Sequence, residues 1–164
     1  MNGLFARAVL AFLVCPGTVA FLIPWLLVAP RQSGHVVDAR GLVAFVPGIV
    51  LLLWCVREFY VAGKGTLAPW SPPRHLVATG LYRFSRNPMY IAVMLVLWGW
   101  AFGFHSRAMA VYALLIMSAF HLRVVLGEEP WLARRHGEAW VRYKAQVPRW
   151  FGFHRQIDSR THAG

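Results

Sequence analysis

Acidic side chains are the scarcest chemistry in this chain: six Asp and Glu stand among 164 residues, against 17 Lys and Arg. Charged residues of both signs make up only 14% of the chain, while 58% is hydrophobic, and that balance excludes an ordinary soluble domain, where about a quarter of residues are charged. Lysine is also rare, since 15 of the 17 cations are Arg. They lie between or after long apolar runs, a distribution that fits a basic face against anionic lipid better than a nucleic-acid surface. Cys15 and Cys55 each sit inside an apolar run without metal spacing, so neither a disulfide framework nor a metal site is expected, and both fit as small core residues.

Apolar runs are abundant, and they organise the chain as one membrane domain, residues 1–164. Ala8–Ala29 is 22 residues without a charge, enough at about 1.5 Å per residue to cover a hydrocarbon core of roughly 30 Å. It exceeds a signal-peptide core and is followed by Pro30, so an uncleaved anchor is expected, kinked at Pro16-Gly17 and Pro24. Gly41–Ala62 is a second span, carrying Arg57-Glu58 near its end. That pair either snorkels to the headgroups or faces a protein interior. Pro88–Phe104 is a third, with Gly99 and Gly103 at the spacing that lets helix backbones approach. His105 to Arg107 is too short to be more than a hairpin connection to a fourth span, Ala108–Leu126, for which Gly127 is a natural stop. Beyond it, Leu132, His136, Ala139 or Trp140, Tyr143 and Val147 recur at helical spacing, and Arg134, Glu138 and Arg142 are spaced for i,i+4 pairs. The expected fold is an all-α integral membrane protein with four transmembrane helices and a C-terminal amphipathic surface helix.

Fourteen basic residues fall on one side of this topology, in Arg7, Arg57, the 63–87 loop, Arg123 and the C-terminal region, against Arg31, Arg40 and Arg107 on the other. Both termini are therefore expected in the cytoplasm, together with the 63–87 loop and residues 127–150.

The likeliest seat of chemistry is Arg74 to Tyr90, a polar, basic loop running into the third span. Thr79-Gly80 is a turn signal and Trp70 a membrane-interface marker. Asn87-Pro88 is a helix start, with Asn87 as N-cap, and a helix N-terminus suits a carboxylate or phosphate; an ordinary capped helix explains the same residues. Glu128 and Glu129 either sit in the favourable first turn of the surface helix or serve a ligand. His121 is either a general base or a polar helix contact.

Gly80, Tyr82, Arg86-Asn87-Pro88-Met89-Tyr90, then Glu128-Glu129, then His136-Gly137-Glu138, Tyr143 and Val147-Pro148 form an ordered set of motifs over roughly Arg74 to Trp150. This set resembles the isoprenylcysteine carboxyl methyltransferase family with its phospholipid methyltransferase relatives, in a bacterial-type form. The resemblance implies S-adenosylmethionine held on the cytoplasmic side, in a cofactor region over 63–87 and 127–150, by Arg74, His75, Leu76, Val77, Tyr82, Asn87, Pro88, Met89, Tyr90, Glu128 and Glu129. Eukaryotic members have His where this chain has Asn87. Arg123 is the nearest match to a substrate-facing arginine of the family. The implied activity is methylation of a carboxylate on a lipophilic, isoprenoid- or lipid-linked acceptor entering from the bilayer of a bacterial inner membrane. A phospholipid amine N-methyltransferase and a non-catalytic four-span binding protein are the alternatives. The implied partners are membrane lipids and a lipophilic substrate, with no nucleic acid and no metal.

Overall fold

The computed structural model describes residues 13–31, 37–61, 76 and 78–152, and among them every regular element is helical. Leu13–Leu22 winds as a π-helix into α1, Ile23–Val28, and a 3-10 turn at Ala29–Arg31. α2 is Arg40–Val61, a 3-10 turn covers Gly80–Arg83, α3 is Pro88–Gly103, and α4 is Arg107–Arg123. A π-helical turn, Val124–Glu128, leads directly into α5, Glu129–Gln146. Ala8 to Phe12, the Gly63 to Pro73 stretch with Trp70, and the tail beyond Gly152 lie outside the described residues.

α3 is apolar on all sides and forms the centre of the bundle, with Ala92, Val93, Val96, Leu97 and Ala101 buried in one core with Leu52, Met109 and Ala113. α2 packs against it through glycine. A Cβ on Gly41 would stand 2.5 Å from Gly103 Cα, and one on Gly48 would stand 2.8 Å from Val96 N, so the two backbones approach to a distance no side chain permits. Gly99 receives Phe45 in the same way. Small residues at helical spacing thus do here what their spacing predicts.

Pro24 has no N–H to give the carbonyl four residues back, Ala20, and an unpaired carbonyl in an apolar bundle is costly. Trp100 Nε1 donates to that oxygen at 3.0 Å, and the Tyr112 hydroxyl donates to Val19 O at 3.0 Å. Side chains from neighbouring helices therefore satisfy carbonyls in the turn before Pro24.

By length and composition, the Arg40–Glu58 stretch and the Arg107–Gln146 run are long and apolar enough to cross a membrane, whereas Pro16–Val28 and Pro88–Gly103 are shorter apolar helices. The fourth helix does not stop at Gly127. A glycine ends a helix by taking a positive φ, and among the described glycines only Gly80 and Gly137 do so. The chain instead widens into the π turn, which accommodates Pro130, a residue with no N–H and a ring that crowds the carbonyl four residues back in a regular helix. Helical geometry breaks ten residues after Gly127, at Gly137, with φ 48° and ψ −123°. Glu138 and Arg142, both beyond this break, pair at 3.7 Å, while Arg134 lies before it. Trp140, Tyr143 and Val147 then form a small buried cluster with Leu132 and Leu76.

Candidate functional site

The start of α3 meets the start of α5 and the segment that follows α5. Gly80 takes φ 55°, the conformation its turn requires, and a Cβ there would press to 2.7 Å from the Glu58 carboxyl carbon. Glu58 accepts hydrogen bonds from Thr79 Oγ1 at 3.2 Å and Trp54 Nε1 at 3.3 Å. The acid at the end of α2 therefore faces this turn, while its neighbour Arg57 is exposed and reaches it at 3.4 Å. The turn directs Tyr82 inward, where it packs with Cys55, Leu81 and Met89. The Tyr82 carbonyl accepts from the Tyr143 hydroxyl at 2.8 Å. Burial raises the pKa of both phenols above the ordinary value of 10.0, so both remain neutral.

Asn87 does not cap α3. Its side chain makes no capping bond and instead donates to Arg149 O at 3.0 Å, while its own N–H donates to Ser85 Oγ at 3.1 Å. The reason is non-local: the chain after α5 brings a carbonyl to the amide. The Met89 and Tyr90 end of the helix is left without a side-chain cap.

Two polar clusters flank that helix start. In the first, the Tyr90 hydroxyl donates to Glu128 Oε1 in a short hydrogen bond, and Arg123 Nε reaches both Glu128 Oε1 at 2.8 Å and the Tyr90 oxygen at 3.1 Å. Among the described residues, Glu128 Oε2 and both terminal nitrogens of Arg123 have no hydrogen-bond partner. In the second cluster, Glu129 accepts from Arg86 Nη1 at 2.8 Å, Arg149 Nε at 2.7 Å and Arg149 Nη2 at 2.9 Å. Burial pushes the Glu129 carboxyl up, but the Arg149 hydrogen bonds and the Arg86 and Arg149 charges outweigh it and hold it below its ordinary 4.5. Arg86 is itself nearly buried, stacked over the Trp140 ring at 5.5 Å, and burial pulls its pKa below the ordinary value.

Neither glutamate occupies a free helix N-terminus, because the helix runs through them; the Glu129 N–H bonds to Val124 O. The expected dipole explanation for the pair therefore fails. Tyr90, Arg123 and Glu128 come together in one cluster, and Asn87, Pro88 and Glu129 lie in the adjoining one. Met89 bridges to the Tyr82 pocket and Leu76 to the Trp140 cluster. His121 is exposed, its ring stacked on Trp150 at 6.2 Å. Arg74, His75 and Val77 lie outside the described residues. Sequence reasoning missed Arg149, the first cation after the helix-ending Val147-Pro148, and Trp150, whose ring stands 6.4 Å from that of Tyr90.

A family model described as phospholipid methyltransferase matches residues 37–139, from just before α2 into α5, and takes in Tyr82, Arg86 to Tyr90, Arg123, Glu128 and Glu129. No curated protein and no solved structure matches the chain. Proteins of that family are membrane methyltransferases acting on lipid-type substrates, and with well over half of its length matched, the chain belongs to the phospholipid methyltransferase family.

Proposed function

We propose that the protein moves a methyl group from S-adenosylmethionine to a carboxylate on a lipophilic, isoprenoid- or lipid-linked acceptor that enters from the bilayer on the cytoplasmic side. The observation that carries this is Arg123, which spends only Nε on Tyr90 and Glu128 and keeps two terminal nitrogens unpartnered among the described residues. A guanidinium fixed through one nitrogen presents the other two as a fork, which matches a carboxylate. The residues also fit the cofactor. When bound, it supplies an electrophilic methyl on a sulfonium. Glu128 Oε2, without a hydrogen-bond partner among the described residues, is an acceptor for an ammonium or a ribose hydroxyl, and the start of α3, with no side-chain cap, offers N–H donors to a carboxylate. Tyr82, Met89 and Leu76 provide apolar walls nearby. Because a carboxylate acceptor is already nucleophilic, the protein needs to align it and exclude water rather than remove a proton.

An amine acceptor is the second reading, favoured by the family description and by His121, which is exposed beside Trp150 and able to take the proton an amine must lose. Methyl-labelled cofactor with lipid extracts separates them. A methyl ester releases its label as methanol in mild base, which is the expected result. Base-stable label in an aminophospholipid overturns the carboxylate reading in favour of the second. Absence of both transfer and S-adenosylhomocysteine binding leaves a non-catalytic four-span protein.

The proposed topology has four spans, formed by the Leu13–Arg31 run, α2, α3 and α4, with α5 along the cytoplasmic surface of a bacterial inner membrane. The charge asymmetry supports it. Cysteines placed at His35 and Arg160 are expected to label from opposite sides, and labelling from the same side overturns it.

A further inference from the structure

We infer that Arg149 is a positioning residue for the methyl-transfer site: the segment Val147–Trp150 is a strap that holds the start of α3 in its working geometry, and Arg149 is its clasp. This rests on the proposed cofactor site at that helix start. The strap meets the Ser85–Asn87 turn with two carbonyls. Pro148 O accepts from Arg86 N at 2.9 Å, and Arg149 O accepts from Asn87 Nδ2 at 3.0 Å and Ser85 Oγ at 3.3 Å. On its other side the Arg149 guanidinium grips Glu129 through two nitrogens, and Arg86 meets the same carboxylate. One residue therefore joins the turn before α3, the beginning of α5 and the next residue, Trp150, whose ring reaches both Tyr90 and His121.

The arrangement constrains function because the α3 start has no local cap. Asn87 gives its side chain to the strap, so the orientation of the Asn87–Tyr90 turn depends on a carbonyl 62 residues away in sequence. Ser85 and Asn87 are both buried, so releasing the strap strips their donors of a partner where water does not easily replace it. Tyr90, and through it Glu128 and Arg123, would then lose a fixed reference.

The test uses the full chain in detergent and the variant Arg149→Lys, which keeps the charge but cannot grip a carboxylate with two nitrogens in a fixed plane. Amide hydrogen exchange is followed over residues 83–90 in the absence of any ligand, and S-adenosylhomocysteine affinity is measured by calorimetry. The expected result is faster exchange confined to that segment, affinity lower by about tenfold, as for loss of one charge-assisted contact, and unchanged protection in α2 and α4. Asn87→Asp, which cannot donate to Arg149 O, is expected to release the same segment. Unchanged exchange in both variants overturns the strap. Released exchange with unchanged affinity overturns the positioning role, and so does a loss of protection spread through the bundle, which makes Arg149 a folding residue. If wild-type protein binds no S-adenosylhomocysteine, the cofactor reading fails instead, and the exchange data still decide whether the strap is held by Arg149.

Discussion

At one end α3 is fastened by its backbone, at the other by long charged side chains. Around Gly103, the Asp38 N–H donates to Gly103 O at 2.9 Å, and Gly41 lies directly on the helix with no side chain between. Around Pro88, besides the two carbonyls of the Val147–Trp150 segment, the neighbouring elements are held by Arg86, Tyr90, Arg123 and Arg149 through hydrogen bonds to two carboxylates. Backbone contact leaves no room and no spare valence, which makes that end a support. The side-chain end has donors and acceptors in excess of its internal needs, with the spare positions on Arg123 and Glu128, and so can engage a ligand without dismantling itself.

The strongest way to break this contrast is to put bulk into the glycine end. Gly41→Leu forces a side chain into backbone that cannot give way, and the expected destabilisation lies at or beyond the upper end of the about 1–3 kcal/mol typical of overpacking. Thermal melting in detergent should fall markedly, while whatever remains folded keeps its affinity for S-adenosylhomocysteine. An unchanged melting temperature would mean that the α2 and α3 backbones are not in contact.

The glycine end was also the more legible from sequence. Long charge-free runs locate α2, α3 and α4 closely, with α3 ending one residue before the expected Phe104, because apolar length and small-residue spacing are local signals. The side-chain end was legible only in part. Tyr90, Arg123 and Glu128 were each singled out, but Asn87 has the composition of an N-cap, and its real partner is set by where the chain returns 62 residues later. Gly127 has the composition of a stop, yet Pro130 three residues on favours a π turn that carries the helix through it. Such outcomes depend on tertiary contact, which no window of neighbouring residues contains.

On the side-chain end, Glu128→Gln sharpens the comparison. A glutamine oxygen can still accept from Tyr90 and Arg123, so the fold should be nearly unaffected. Removing the charge should nevertheless cost about 1.5–3 kcal/mol of cofactor-product binding, roughly ten- to a hundredfold in affinity. An affinity within about twofold of wild type would take Glu128 out of the site.

Glu129, the other half of the Arg149 clasp, should register in stability with a smaller effect and a defined pH window. Its carboxyl pKa is lowered in the folded protein, so the stabilisation from Arg149 and Arg86 is fully present above the ordinary value of 4.5 and is lost as pH falls through the folded value. Glu129→Gln is expected to melt below wild type at neutral pH by on the order of 1–2 kcal/mol, charge-assisted bonds with one part-exposed donor being worth about that much. The gap should close as the pH drops below 4.5. A gap that stays constant down through that range would mean the carboxylate is not ionised in its contact with the two arginines.

The smallest effect is expected at the support end, from its own ion pair. Asp38 Oδ2 meets His105 Nε2 at 3.0 Å, superficially like the arginine pairs at the other end, but His105 is 69% exposed and the pair sits in solvent. The more useful bond of Asp38 is the one from Oδ1 to Arg40 N at 2.8 Å, which caps the start of α2 and is also the chief reason its pKa is lowered. Asn can accept that bond as well as Asp. Asp38→Asn therefore removes the ion pair and keeps the cap, and melting temperature and S-adenosylhomocysteine affinity are both expected to stay at their wild-type values. Asp38→Ala removes both and should lower the melting temperature alone, because the helix cap is lost with the ion pair. If Asp38→Asn instead weakened ligand affinity, the two ends of α3 would be coupled, and the division between a supporting end and a binding end would fail.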